Sequence, residues 1–137
     1  MLFRSSRVMK VLLAVDNSKG VLDRLYRLIE SIPGVDPMIT LIKVKEITES
    51  INSLKPDVLV LDLYLLDGTA LDVMEKMRSS TMKPSFMILT EQPYEDIEVQ
   101  LKIAGAGFVF NKSLEFELIV KILSQLSKKQ KGSQLAF

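Results

Sequence analysis

Five short apolar runs, Val8–Val15, Met38–Val44, Val58–Leu63, Phe86–Leu89 and Phe108–Phe110, punctuate the chain at regular intervals. Several are continuous rather than alternating, as expected of strands covered on both faces in a parallel sheet. Stripes at helical spacing lie between them. Val21, Leu25 and Leu28 run beside Leu22, Tyr26 and Ile29; Ile47, Ile51 and Leu54 form a narrower stripe. Leu71, Met74 and Met77, then Ile97, Leu101 and Ala104, then Ile119, Leu123 and Leu126 continue the series. Strand and helix thus alternate five times, which predicts an α/β fold: a doubly wound five-stranded parallel sheet, (βα)5, with helices on both faces.

The punctuation agrees with that reading. Pro33-Gly34 follows the first helix, Lys55-Pro56-Asp57 precedes the third strand, and Asp67-Gly68 forms a turn before the third helix. Thr69 with Asp72 predicts a helix N-terminus, and Pro93 suits a first helical position. A length of 137 residues fits one domain, read as residues 8–126 between an extension, 1–7, and a basic, frayed tail, 127–137. The seven Met residues fall mostly at core-facing positions, where they fill gaps.

Composition removes several chemistries. There is no cysteine and no histidine, so disulfide frameworks, thiol catalysis and every Ser-His or Cys-His mechanism are excluded. The net charge of +1 gives no basic excess for direct nucleic-acid binding. The first apolar run is too short for a signal-peptide core or a membrane span, which predicts a cytoplasmic protein without membrane insertion. No Gly-x-x-x-x-Gly-Lys-Ser/Thr loop is present, and Asn17-Ser18-Lys19-Gly20 is a poor flavin-phosphate loop. Asp67-Gly68-Thr69 lacks the second acid of a dehalogenase-type phosphatase motif, because Leu65 stands there.

In open parallel sheets the functional crevice lies outside the carboxyl ends of the strands. The first strand delivers Asp16 and Asn17 there, the third Asp62, the fourth Thr90 and the fifth Lys112. A carboxylate can act as a nucleophile toward phosphorus, Mg²⁺ takes oxygen ligands, and an ammonium and a hydroxyl can hold phosphate oxygens. Asp62 ends a strand with no apolar reason to be there. Asp16-Asn17 has a plainer alternative as a cap for the first helix.

Four segments carry a family resemblance. They are Leu13-Ala14-Val15-Asp16-Asn17-Ser18, Leu59 to Gly68 around Asp62, Phe86-Met87-Ile88-Leu89-Thr90, and Ala104 to Ser113 around Lys112. Together, in this order on these strand ends, they resemble response-regulator receiver domains of two-component signalling, over about residues 8–126. The resemblance implies a flavodoxin-like sheet of order 2-1-3-4-5, with Asp62 as phosphoacceptor. It implies Mg²⁺ held by Asp16, Asp62 and the backbone carbonyl of Tyr64, with Asn17 a weakened fourth ligand. Lys112 would pair with the acceptor and Thr90 would report the phosphate. A sensor histidine kinase or phosphotransfer protein would be the donor, and output would pass to an unidentified protein through the fourth helix, fifth strand and fifth helix. A stand-alone signalling module rather than an enzyme is expected, with self-phosphorylation chemistry allowed and a homodimer compatible.

The chain departs from the family pattern at named positions. Asn17 replaces the second acid of the first motif, Glu91 replaces a small residue after Thr90, and Tyr64 is bulky beside the acceptor. Val109 stands where an aromatic switch is common; Phe108 and Phe110 beside it point to the opposite strand face. These departures motivate a second expectation, a binding module of receiver fold that works without phosphorylation. A small hydrolase using Asp62 is a weaker third, disfavoured by the absence of histidine. Val99 and Ile103 add a second apolar stripe to the fourth helix, more than one buried face needs.

Overall fold

Leu12, Leu13, Leu59, Val60, Leu61, Ile88 and Leu89 leave no polar face to turn toward water, and all of them are essentially inaccessible. The runs that hold them become the centre of a parallel sheet. The structure, a computed structural model, describes residues 8–91, 95–112 and 115–135. Its sheet strands are β1 (Met9–Ala14), β2 (Val35–Ile39), β3 (Val58–Asp62), β4 (Ser85–Thr90) and β5 (Ala106–Asn111). They lie in the order β2-β1-β3-β4-β5, every neighbouring pair parallel. The expected sheet order is therefore the one observed.

Alternation along the strands divides the core in two. Leu13, Val60, Met87 and Leu89 face α1 (Val21–Glu30) and α5 (Phe116–Leu135), meeting Leu25, Ile29, Ile119 and Leu123. Leu12, Leu59, Leu61 and Ile88 face α2 (Val44–Leu54), α3 (Ala70–Met77) and α4 (Glu95–Ile103), meeting Ile47, Ile51, Val73 and Leu101. Met9, Met74, Met77 and Met87 are buried among them, in the gap-filling role expected.

Two boundaries differ from the sequence reading. The second strand is Val35–Ile39, not Met38–Val44: pairing with β1 ends at Leu13 opposite Ile39. Pro37 is tolerated because β2 is an edge strand. The remainder of that apolar run is a loop, with Leu41 exposed, and Val44 is buried as the first residue of α2. The second correction concerns the tail. α5 continues to Leu135 and Ser127 is buried, its Oγ donating to the Pro33 carbonyl at 3.4 Å. Ser127 lies four residues beyond Leu123 on the same inner stripe, so a polar residue extends a pattern that hydrophobicity alone ends at Leu126. Pro93 lies outside the described residues.

Helix starts are fixed by side chains from the loops. Asp72 Oδ2 accepts the Thr69 N–H at 2.8 Å, as the Thr-x-x-Asp spacing predicts for α3. Asp67 does more than turn the chain: its Oδ1 accepts the Val44 N–H at 2.9 Å and so closes the first turn of α2 from a different loop. Replacing it, Asp67→Ala, is expected to cost about 1 kcal/mol, the usual worth of an N-terminal helix cap. Denaturant unfolding, read as a lower midpoint with unchanged slope, checks this.

Candidate functional site

Because β1, β3, β4 and β5 run parallel, their C-terminal ends share one rim. Asp62 is the last residue of β3, held between β1 and β4 and only 4% exposed. One carboxylate oxygen, Oδ2, accepts the backbone N–H of Asp16 at 2.8 Å and the Lys112 ammonium at 2.9 Å. The other, Oδ1, is buried and accepts no hydrogen bond from the described residues. Burial pushes the Asp62 carboxyl above its ordinary value, and the Asp16 N–H and Lys112 only partly counter it. The pair with Lys112 is itself well shielded from solvent.

Asp16 behaves differently. Its carboxylate accepts the Ser18 hydroxyl, and that bond holds its pKa below the usual value. Thr90 ends β4, is 5% exposed, and its carbonyl accepts the Lys112 N–H at 2.9 Å, tying the two strand ends together. Tyr64 opens a short hairpin in which Tyr64–Leu65 pairs with Gly68–Thr69, and it is exposed at the rim. Asp16, Asp62, Tyr64, Thr90 and Lys112 line one cleft of about 320 Å³, together with Ile42, Leu66, Leu89 and Glu91.

Asn17 is not in that lining. Its Oδ1 accepts the Asp23 N–H at 3.0 Å and its Nδ2 donates to Asp23 Oδ2 at 3.3 Å, so the amide organises the start of α1. These bonds place Asn17 at the start of α1 rather than in the lining of the cleft.

The remaining donors suit a small divalent cation. Asp16 and Asp62 offer hard carboxylate oxygens, one of them the orphaned Oδ1, and Mg²⁺ characteristically takes one or two carboxylates with waters and substrate oxygens. Among the described residues no three acidic side chains gather into a protein-only cage.

Several contributors carried no motif. Ser18 bonds Asp16, and a hydroxyl two residues after an acid was the available signal. Asn111 donates its Nδ2 to the Glu91 carbonyl at 3.1 Å, linking the end of β5 to the residue that follows β4. Ile42 was assigned to a strand and instead walls the cleft. Val109 packs on the α3–α4 side, whereas Phe108 and Phe110 stack on the other, centroids 5.8 Å apart. No side chain at 109 therefore offers the aromatic partner for Thr90 that the family pattern includes.

No protein-family model matches the chain. Solved structures do. The signal receiver domain of a putative Luxo repressor protein from Vibrio parahaemolyticus superposes with a TM-score of 0.80 at 22% identity, covering 94% of this chain and 97% of that one. The response regulator domain of Thermotoga maritima CheB gives 0.74 at 20% identity, over 92% and 98%. A CheY-like receiver domain protein from Methanospirillum hungatei gives 0.76 at 17%, over 92% and 98%. The chain has the receiver-domain fold. On that fold, the carboxylate at the end of the central strand and the lysine after the last strand meet in this protein at hydrogen-bond distance.

The electrostatics of this receiver fold make a paired prediction. Asp62 has a folded pKa above its unfolded one, near 3.9. Its contribution to stability is therefore complete below the unfolded value and is lost as pH rises through the folded value. Asp62→Asn should stabilise the protein at pH 7 by about 1 kcal/mol, the order of one orphaned buried acceptor, and the gain should vanish below pH ~3.5. Lys112→Met should instead cost about 3 kcal/mol at pH 7 by stranding the buried carboxylate, and much less in acid. Urea midpoints against pH for the three proteins check both signs.

Proposed function

We propose that the chain is a response-regulator receiver whose Asp62 accepts a phosphoryl group from a phosphohistidine on a sensor kinase or phosphotransfer protein. The observation that carries this reading is the asymmetry of Asp62: Oδ2 is held by Asp16 N–H and Lys112, while buried Oδ1 accepts no hydrogen bond from the described residues. One oxygen fixes the orientation of the carboxylate, and the other keeps its lone pairs for an in-line attack on phosphorus. Oδ1 would form the new O–P bond as the donor's N–P bond breaks, and the imidazole leaves with the electron pair and takes up a proton. Lys112 would neutralise a phosphoryl oxygen once the aspartate charge is esterified, and the Thr90 hydroxyl would donate to another.

A divalent cation, Mg²⁺ in this reading, would be held by Asp16, Asp62 and the Tyr64 carbonyl, and supplies positive charge between the acids and an incoming phosphate. Output would run through α4, β5 and α5 to a partner protein. Val99 and Ile103 on α4 are 50% and 81% exposed, whereas Leu101 is the residue that this helix buries. No catalysis on a diffusible substrate is proposed. Among the described residues no helix is long and apolar enough to cross a membrane.

A second reading is favoured by one observation, the engagement of Asn17 with Asp23, which leaves the cation with fewer anionic ligands than two adjacent acids would give. In that case the receiver fold would serve as a binding module that is not phosphorylated. Intact mass after incubation with Mg²⁺ and either acetyl phosphate or phosphoramidate decides between them. The first reading expects a gain of one phosphoryl group that is absent without Mg²⁺ and in Asp62→Asn, and reduced at least about tenfold in rate in Lys112→Met. An unmodified wild-type protein, inert also to phosphohistidine donors and to beryllofluoride, would leave the second.

A further inference from the structure

A second cleft, of about 380 Å³, opens at the other end of the sheet, between the C-terminal ends of α3 and α4 and the start of β4. We infer that it is a binding site for a small uncharged aromatic molecule, independent of the chemistry at Asp62. Its volume falls within the range of small-ligand clefts, roughly 300–1,000 Å³.

The lining sets the chemistry. Met74 and Met77, nearly buried, and Met82 bring three thioethers to the same cleft as Phe86. Sulfur is polarizable and pairs favourably with aromatic rings, so this surface prefers a ring to a saturated body of equal size. Gly105 turns the chain at the edge of the cleft. Its φ of +115° is one that side chains rarely adopt, and a Cβ there would stand 3.9 Å from the Met74 methyl.

Charge at the rim balances. Arg78 pairs with Glu75 at 2.6 Å, and the Lys83 ammonium donates to the Arg78 carbonyl at 2.8 Å. These three residues sum formally to +1, and two helix C-termini, each about half a negative charge, converge beside them. Neither an anion nor a cation gains from that field, which leaves an uncharged ring as the fitting occupant.

Amide spectra of the full chain, titrated with phenol and with cyclohexanol, test the assignment. Phenol should give saturable shifts gathered on residues 71–86 and 104–107, with affinity about tenfold above cyclohexanol, the equivalent of ~1.4 kcal/mol from ring–sulfur contacts. Benzoate and benzylamine should gain no more than a few-fold over phenol. Ala104→Trp, at an exposed position lining the cleft, should place its own indole there and weaken phenol at least about tenfold. Should that variant misfold, Leu71→Trp from the facing helix replaces it. Shifts that do not saturate or lie elsewhere overturn the site. Equal binding of cyclohexanol overturns the ligand class, as does more than tenfold preference for either ion, and a folded variant that binds phenol normally overturns the location.

Discussion

The structure turns on a buried carboxylate that is half satisfied. Asp62 sits at the end of the central strand, after the fully buried Leu59, Val60 and Leu61, where little water reaches its charge. Removing an ion from water is costly unless partners replace the solvent. Among the described residues the fold supplies two, the Asp16 N–H from just beyond β1 and the Lys112 ammonium from just beyond β5. Both reach the same oxygen. That arrangement demands the strand order observed, because β3 must neighbour β1 on one side and β4 on the other, with Lys112 brought in by its main-chain bond to Thr90.

The loops around this carboxylate are held by bonds that cross between them. Leu66 N–H donates to the Ile42 carbonyl at 2.9 Å and Asp67 caps α2, so the hairpin after β3 is fastened to the loop after β2. Asn111, the last residue of β5, is fastened to the Glu91 carbonyl just beyond β4. Each tie converts a flexible strand end into a wall of known position, which is what a site assembled from four separate segments requires. Tyr64 and Leu66, about 70% exposed (71% and 68%), then project at the mouth, where an approaching partner would meet apolar surface before the carboxylate.

How much of this was legible from sequence follows from which interactions leave a pattern. Burial does. The continuous runs at Val58–Leu63 and Phe86–Leu89 and the stripes at Leu25, Ile29, Ile47, Ile51, Ile119 and Leu123 are the core in the structure. A rule that chemistry gathers at strand C-termini then placed Asp16, Asp62, Thr90 and Lys112 together, as the cleft does. Hydrogen bonds between distant loops leave no periodic trace. Asp67 read as turn chemistry, and its second role as a cap for Val44 depends on a neighbour 23 positions away. Asn17 was ambiguous for the same reason, since an amide serves a metal or a helix start equally well and only its bonds to Asp23 separate the two. The second strand was misplaced because an apolar run continued through a loop, and the last helix was cut short because Ser127 occupies an inner position without being apolar.

The same polar choices set the charge that an incoming phosphoryl donor would meet. Among the described residues that line the cleft, Asp16, Asp62 and Glu91 carry carboxylates and Lys112 an ammonium, a formal excess of two negative charges before any other partner of Glu91 is counted. A divalent cation cancels that excess, so under the proposed reading the metal governs access of an anionic donor as well as the geometry of transfer. Replacing an acid by Asn17 acts on both quantities in opposite directions. It removes one attraction for the cation and one repulsion for the phosphoryl group. Asn17 is exposed, so water and salt screen both effects, whereas the contribution of buried Asp62 is screened far less. Asp62 and Lys112 thus dominate the field inside the cleft, and under the proposed reading position 17 would act mainly on how readily a cation arrives.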